Sequence, residues 1–141
     1  MAVTRIRDNL YISDIDAVRT TDLDRFGIDR VITICQDNTS ENVGCAYNHY
    51  DIPDDEHNYE IFEAAVDRLR DAWNDGERVL VHCHAGMSRS VCASAAAIAA
   101  EENIPVDSAL YEIGQSRGIA PGWELKDSAK RYVGDHWNFE E

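Results

Sequence analysis

The feature that most restricts the fold is a nine-residue string, His82-Cys83-His84-Ala85-Gly86-Met87-Ser88-Arg89-Ser90, which leaves the apolar run Val79-Leu80-Val81 and enters an alanine-rich stretch. An apolar run without polar alternation reads as a strand covered on both faces. The stretch from about Ser88 to Glu102 reads as a helix whose small residues Ala93, Ala96, Ala97 and Ala100 permit close packing against a sheet. Strand, tight loop and helix in that order belong to α/β folds with a parallel sheet, in which ligands gather where a strand's carboxyl end meets a helix N-terminus.

The rest of the chain fits the same architecture. Asn9 to Ile12 is a short strand candidate, followed by Ser13 and Asp14, either of which is able to cap a helix running to about Phe26 and ended by Gly27. Arg30 to Cys35 is a β-branched strand and Ala46 to Ile52 another, stopped by Pro53. From Tyr59 to Trp73 the residues Ile61, Phe62, Ala65, Val66, Leu69 and Trp73 recur at helical spacing. Pro105 suits the first turn of a helix over about 105 to 116, and a last helix near Gly122 carries Trp123, Leu125, Ala129, Tyr132 and Val133. The expected fold is a compact α/β domain spanning 1–141, with a largely parallel central sheet flanked by helices. A chain of 141 residues has room for one such core.

Charge limits the partners. The formal net charge of −14 repels nucleic acid and anionic membranes. With lysine only at Lys126 and Lys130, the surface is of the acidic, halophile-like kind that gains from salt screening. No run of eighteen apolar residues and no basic-then-apolar leader occurs, so a soluble cytoplasmic protein is expected. The four cysteines form no C-x-x-C pair, which suggests neither a zinc cage nor a disulfide framework. Cys35 and Cys92 read as small core residues.

The string at Cys83 has the makings of an anion cradle. A loop curled before a helix turns successive backbone N–H groups inward, and the helix adds partial positive charge at its N-terminus. Gly86 supplies the φ freedom of a tight curl, and the Arg89 guanidinium fork is able to return to the same centre. A cysteine at the mouth of such a loop ionises, since helix termini and cations lower a thiol from about 8.5 into the range of roughly 3.5 to 7.5. A lowering of about three units corresponds to roughly 4 kcal/mol in favour of the thiolate.

The string resembles the H-C-x-x-G-x-x-R-[ST] signature of protein tyrosine phosphatases, and is most similar to the H-C-x-A-G-x-S-R-S form of their dual-specificity branch. Leu10-Tyr11-Ile12-Ser13, Gly27 to Ile32 and Ile52-Pro53 resemble further passages of that branch, so that the likeness covers residues 5 to 133. It implies a cysteine phosphatase-like fold and hydrolysis of phosphate monoesters through a phosphocysteine on Cys83. By the same resemblance Arg89 binds the phosphoryl oxygens, Ser90 donates to the Cys83 sulfur, and His82 orients the loop and helps hold the thiolate. The backbone amides of His84, Ala85, Gly86, Met87, Ser88 and Arg89 complete the cradle. Neither a metal nor another cofactor is implied.

The resemblance also calls for a general acid upstream, just beyond a strand ending in an apolar residue. The loop Asp51-Ile52-Pro53-Asp54-Asp55-Glu56 offers several. Asp54, 29 residues before Cys83 and directly after Ile52-Pro53, is the first candidate, with Asp55 the alternative if the register slips by one and Asp51 or Glu56 behind them. A chain this short lacks the extra loop that deepens the cleft of larger relatives, which implies a shallow site open to phosphotyrosine and to phosphoserine or phosphothreonine. The substrate is then a phosphorylated protein or a small phosphomonoester; phosphoinositide, phosphosugar and RNA 5'-end substrates stay open, as does the oligomeric state.

Two rival readings share the loop. A rhodanese-like sulfurtransferase also places a cysteine before a helix but does not call for Ser90 or an upstream carboxylate. A non-hydrolytic phosphate-binding module keeps the fold while replacing the nucleophile or the arginine, and both stand here. His49 and His57 read as exposed loop or strand-edge residues, and Trp123, Tyr132 and Trp137 as helix packing.

Overall fold

A computed structural model describes residues 3–20, 23–52 and 58–136. In chain order the elements are β1 (Val3–Arg7), β2 (Leu10–Ser13), α1 (Ile15–Thr20), a 3-10 turn (Leu23–Phe26), β3 (Arg30–Ile34), a second 3-10 turn (Ser40–Asn42), β4 (Ala46–Tyr50) and α2 (Tyr59–Asn74). They continue with β5 (Val79–His82), α3 (Arg89–Glu102), α4 (Val106–Ser116) and α5 (Trp123–His136). The sheet order is β1-β2-β5-β3-β4, with β2, β5, β3 and β4 parallel and only β1 antiparallel at the edge. This is the largely parallel, helix-flanked sheet expected from the sequence.

β5 lies at the centre because every one of its residues is apolar or buried, and it is covered on both faces. On one face α2, α3, α4 and α5 close a large core that includes Ile32, Phe62, Leu69, Val81, Ile98, Ile113 and Tyr132. On the other, α1 and its neighbours close a smaller cluster of Tyr11, Val18, Leu23, Ile28, Val31 and Leu80. α3 runs through the middle of the helical layer and is buried from Arg89 to Ala100. A helix enclosed on all sides needs small side chains to let its neighbours approach, which is what the alanine run supplies.

Several boundaries differ from expectation. β1 has no counterpart in the sequence reading: its charged, half-exposed residues look like loop until an edge strand pairs them with β2. The helix expected to run to Phe26 is described over Ile15–Thr20, with Thr21 and Asp22 outside the described residues, and Leu23–Phe26 is instead a 3-10 turn that leads to Gly27 at φ +67°. Asp14, not Ser13, is the cap of the helix, accepting from the Ala17 amide at 2.8 Å. β4 ends at Tyr50, two residues early, because Ile52 leaves the ladder to be buried beside α3. Pro105 stands one residue before α4, its carbonyl accepting from Ser108 and Ala109. Trp123 was expected to pack but is 71% exposed, because as the first residue of α5 it stands off the Leu125, Ala129, Tyr132 face. Trp137 lies outside the described residues. Among those described, no helix is long and apolar enough to cross a membrane.

Candidate active site

The parallel register brings three buried polar residues level at the carboxyl end of the sheet: Ser13 on β2 and Thr33 on β3, each opposite His82 on β5. One residue beyond His82, Cys83 begins the loop that enters α3. The loop is fixed on three sides. Its His84 carbonyl accepts from the Ile15 amide at 2.8 Å, its Met87 carbonyl from the Ala120 amide at 2.8 Å, and the Ser88 hydroxyl from the Gly122 amide at 3.0 Å. Gly86, at φ +72°, is required twice over: a Cβ there would stand 2.7 Å from the Ser13 carbonyl oxygen and 2.7 Å from an Arg117 guanidinium nitrogen. A pocket of about 250 Å³ opens above, lined by Cys83, His84, Ala85, Met87, Ser88, Arg89 and Ala120.

Cys83 is 2% exposed. Burial alone would raise its pKa, yet the thiol is held below its ordinary value by hydrogen bonds from the Ser90 hydroxyl and amide, by the Gly86 amide and by the charge of Arg89. The Ser90 Oγ lies 3.2 Å and its N–H 3.5 Å from the sulfur, so the sulfur is an acceptor, as a thiolate must be. Arg89 is itself buried, and its guanidinium donates to the Ile52 carbonyl at 3.0 Å, which explains why Ile52 leaves β4.

His82 has no exposed surface, and burial depresses its pKa to about 4. It is therefore neutral near pH 7, with its proton on Nδ1, which donates to the Cys83 carbonyl at 2.9 Å. Nε2 then accepts from the Thr33 hydroxyl at 2.6 Å. Behind Thr33 the chain of contacts passes to Thr39 Oγ1 at 3.1 Å, and the Thr39 amide donates to the Tyr47 hydroxyl at 2.8 Å. This buried network fixes the cysteine's backbone. A neutral imidazole bound to a carbonyl orients the loop and lends the sulfur no charge.

A profile of the dual specificity phosphatase catalytic domain matches residues 10–132. The chain belongs to the dual specificity phosphatase family. Human Dual specificity protein phosphatase 1 is 33% identical over 115 residues, 78% of this chain and 31% of that protein, so the chain spans about a third of that relative's length. A protein of Invertebrate iridescent virus 6, provisionally named tyrosine phosphatase 123R, is 26% identical over 120 residues, 84% of this chain and 82% of that one. The crystal structure of human DUSP28 has the same fold, with a TM-score of 0.85 over 96% of this chain and 95% of that chain at 18% identity. As a member of this family the chain is a protein phosphatase of the cysteine-dependent kind, acting on phosphorylated substrates.

Within this dual specificity phosphatase the fold brings His82, Cys83, Arg89, Ser90 and the loop 84–88 to one point, while Pro53, Asp54, Asp55, Glu56 and His57 lie outside the described residues. Asp51 is exposed at the end of β4. His49 is a half-buried edge residue whose Nε2 lies 2.7 Å from the Cys35 carbonyl. Five neighbours escaped sequence reasoning, Thr33 beside His82 among them. Asp37 pairs with the exposed His84 side chain at 2.6 Å. Arg117 packs behind Gly86, donating to Thr4 and to the Ile12 carbonyl. Thr39 and Tyr47 extend the His82 network. None carries a local signal, because all are brought in by the fold from segments distant in sequence from the loop 82–90. Cys35, buried as a core residue as expected, turns out to be packed in one cluster with Ile15 and Cys83.

Proposed function

We propose that the chain hydrolyses phosphotyrosine and phosphoserine or phosphothreonine in proteins, with Cys83 as nucleophile. The observation that carries the reading is a buried thiol whose pKa is lowered, not raised, because the Ser90 and Gly86 donors and Arg89 converge on it. The thiolate attacks phosphorus in line, the S–P bond forms as the P–O bond breaks, and the leaving oxygen takes a proton from a carboxylic acid. Arg89 and the amides from His84 through Arg89 hold the equatorial oxygens, whose charge they match in the transition state. Water then attacks the phosphocysteine, giving its proton to the same carboxylate. Ser90 donates to the departing sulfur and so eases its release.

From the sequence, the acid is Asp54, or Asp55 if the register is shifted by one. Leaving groups separate this role from the nucleophile's. Replacing the true acid by Ala is expected to slow phenyl phosphate severely, to spare an ester whose leaving group needs no proton, and to remove the basic limb of the pH–rate profile. Cys83→Ser is expected to lose turnover on every ester while still binding vanadate. Normal turnover by Cys83→Ser would overturn the reading; loss of both effects from Asp54→Ala and their appearance in Asp55→Ala would move the acid by one residue. The −14 charge supports a second proposal, that the surface is adapted to high salt.

A further inference from the structure

Arg117 directly follows α4, where its own amide donates to the Ile113 carbonyl and closes the last turn. Its side chain reaches the first two strands: Nη1 donates to the Thr4 hydroxyl of β1 and to the Ile12 carbonyl of β2, both at 3.0 Å. The planar fork is held by these two bonds, and Nη2 is left against Gly86, 2.7 Å from where a Cβ would stand. The Ser13 carbonyl closes on the same point at the same distance. Gly86 is also the residue whose amide donates to the Cys83 sulfur, so Arg117 bears on a donor of the catalytic thiol.

Its electrostatics set it apart from other arginines of the chain. Arg7, Arg30, Arg70 and Arg131 each pair with a carboxylate, as expected where 27 acids face 13 bases. Among the described residues Arg117 bonds only to neutral acceptors, and its buried Nε has no hydrogen-bond partner. Burial lowers its pKa from the ordinary arginine value, yet a guanidinium stays charged near neutral pH. The charges that act in favour of its proton are those of Asp14 and of Cys83 itself. A half-buried cation without an ion pair and with an unfilled donor is costly, and such departures from the rules of stability belong to functional sites.

We propose that Arg117 is a positioning residue of the phosphatase reaction, which braces Gly86 from behind the loop and favours the Cys83 thiolate by its unpaired charge. The inference rests on Cys83 as the nucleophile and adds a residue that acts through the loop without touching the substrate. The other charged or titratable groups about the sulfur are Arg89 of α3, the Cys35 thiol beyond β3, the neutral His82 bonded to the Cys83 carbonyl, and His84, which pairs with Asp37. Asp14, ahead of α1, is the acid nearest in effect to Arg117. All of these are common to the parent and to variants at position 117, so a difference between their pH profiles belongs to Arg117.

The test is the rate at which iodoacetamide, an uncharged reagent, alkylates Cys83 as a function of pH. Arg117→Gln keeps a donor for the Ile12 carbonyl and removes the charge. It is expected to raise the midpoint of that profile by about one pH unit and to lower kcat/KM on p-nitrophenyl phosphate about tenfold at pH values below the midpoint, a loss that shrinks as the pH rises. Arg117→Lys restores the charge and is expected to recover most of the shift. Arg117→Met gives the same reading as Arg117→Gln should the latter not fold, which denaturant unfolding reports. A purely structural brace would lower the unfolding midpoint and leave the alkylation midpoint in place. An unmoved alkylation midpoint in a folded uncharged variant, a shift as large in Arg117→Lys, or failure of both uncharged variants to fold would overturn the role of Arg117 alone. Turnover that survives in Cys83→Ser would instead defeat the nucleophile.

Discussion

Cys35 and Cys83 stand just past the carboxyl ends of neighbouring parallel strands, both buried and both in one cluster with Ile15, yet their sulfurs are opposite in character. Burial pushes the Cys35 thiol up, and its sulfur acts as a donor, 3.8 Å from the Asp37 carbonyl. Burial pushes on Cys83 as well, but there the sulfur is an acceptor, facing Ser90, the Gly86 amide and Arg89, and the pKa falls. Position in the sheet and exclusion of water are common to the two. The difference lies in the connection: β5 runs through a curled loop into the N-terminus of α3, whereas β3 continues into a loop that offers a carbonyl. Converging donors and Arg89 lower the Cys83 thiol despite its burial, whereas burial by itself raises that of Cys35.

The largest expected effect is in reactivity. Iodoacetate at neutral pH should label Cys83 at least about a hundredfold faster than Cys35, as a thiolate against a buried thiol, and peptide mapping of the alkylated protein checks it. Equal rates would break the contrast. Ser90→Ala removes the strongest donor from one sulfur only. It is expected to slow turnover by about 10 to 100-fold, the worth of a hydrogen bond to a charged group, and to shift the acid limb of the pH–rate profile upward because the Cys83 pKa rises. An unshifted limb would assign the lowered pKa to Arg89 and the amides alone.

His82 bears on stability. Its pKa of about 4 in the fold lies below the ordinary 6.5, so the unfolded chain binds a proton that the folded one refuses. Stability from this group is full above about pH 6.5 and lost as pH falls toward 4, by roughly 2 to 4 kcal/mol. In His82→Gln, denaturant midpoints should fall less steeply across that window than in the parent, and parallel slopes would refute the buried neutral imidazole. Salt should act least on the cysteine pair. Screening the −14 surface is expected to raise the unfolding midpoint between low and molar salt, while the ratio of Cys83 to Cys35 labelling stays nearly constant, because short buried contacts are poorly screened. A falling midpoint would remove the proposed adaptation to salt.

What was legible in the sequence was what is contiguous in it. The loop 82–90 carries its strand, its glycine, its arginine and its helix in one string, and β3, β5 and α2 to α5 follow from periodicity and the alanine run. The rest needed the fold. β1 exists because an edge strand tolerates charged, half-exposed residues, a pattern that reads equally well as loop. Thr33, Thr39 and Tyr47 reach His82 only through strand register and a loop, and Arg117 reaches the back of Gly86 from the end of α4. Cys35 read correctly as core, but nothing in its surroundings in sequence says that its neighbour in that core is Cys83.

The most direct test of the account is to trap the covalent intermediate. The enzyme is mixed rapidly with an aryl phosphate, quenched in acid, and mapped by mass spectrometry under acidic conditions. A phosphoryl group on the peptide carrying Cys83, absent from Cys83→Ser and retained in Cys35→Ser, is the expected result. A phosphoryl group on any other residue, or steady turnover that persists in Cys83→Ser, would contradict it.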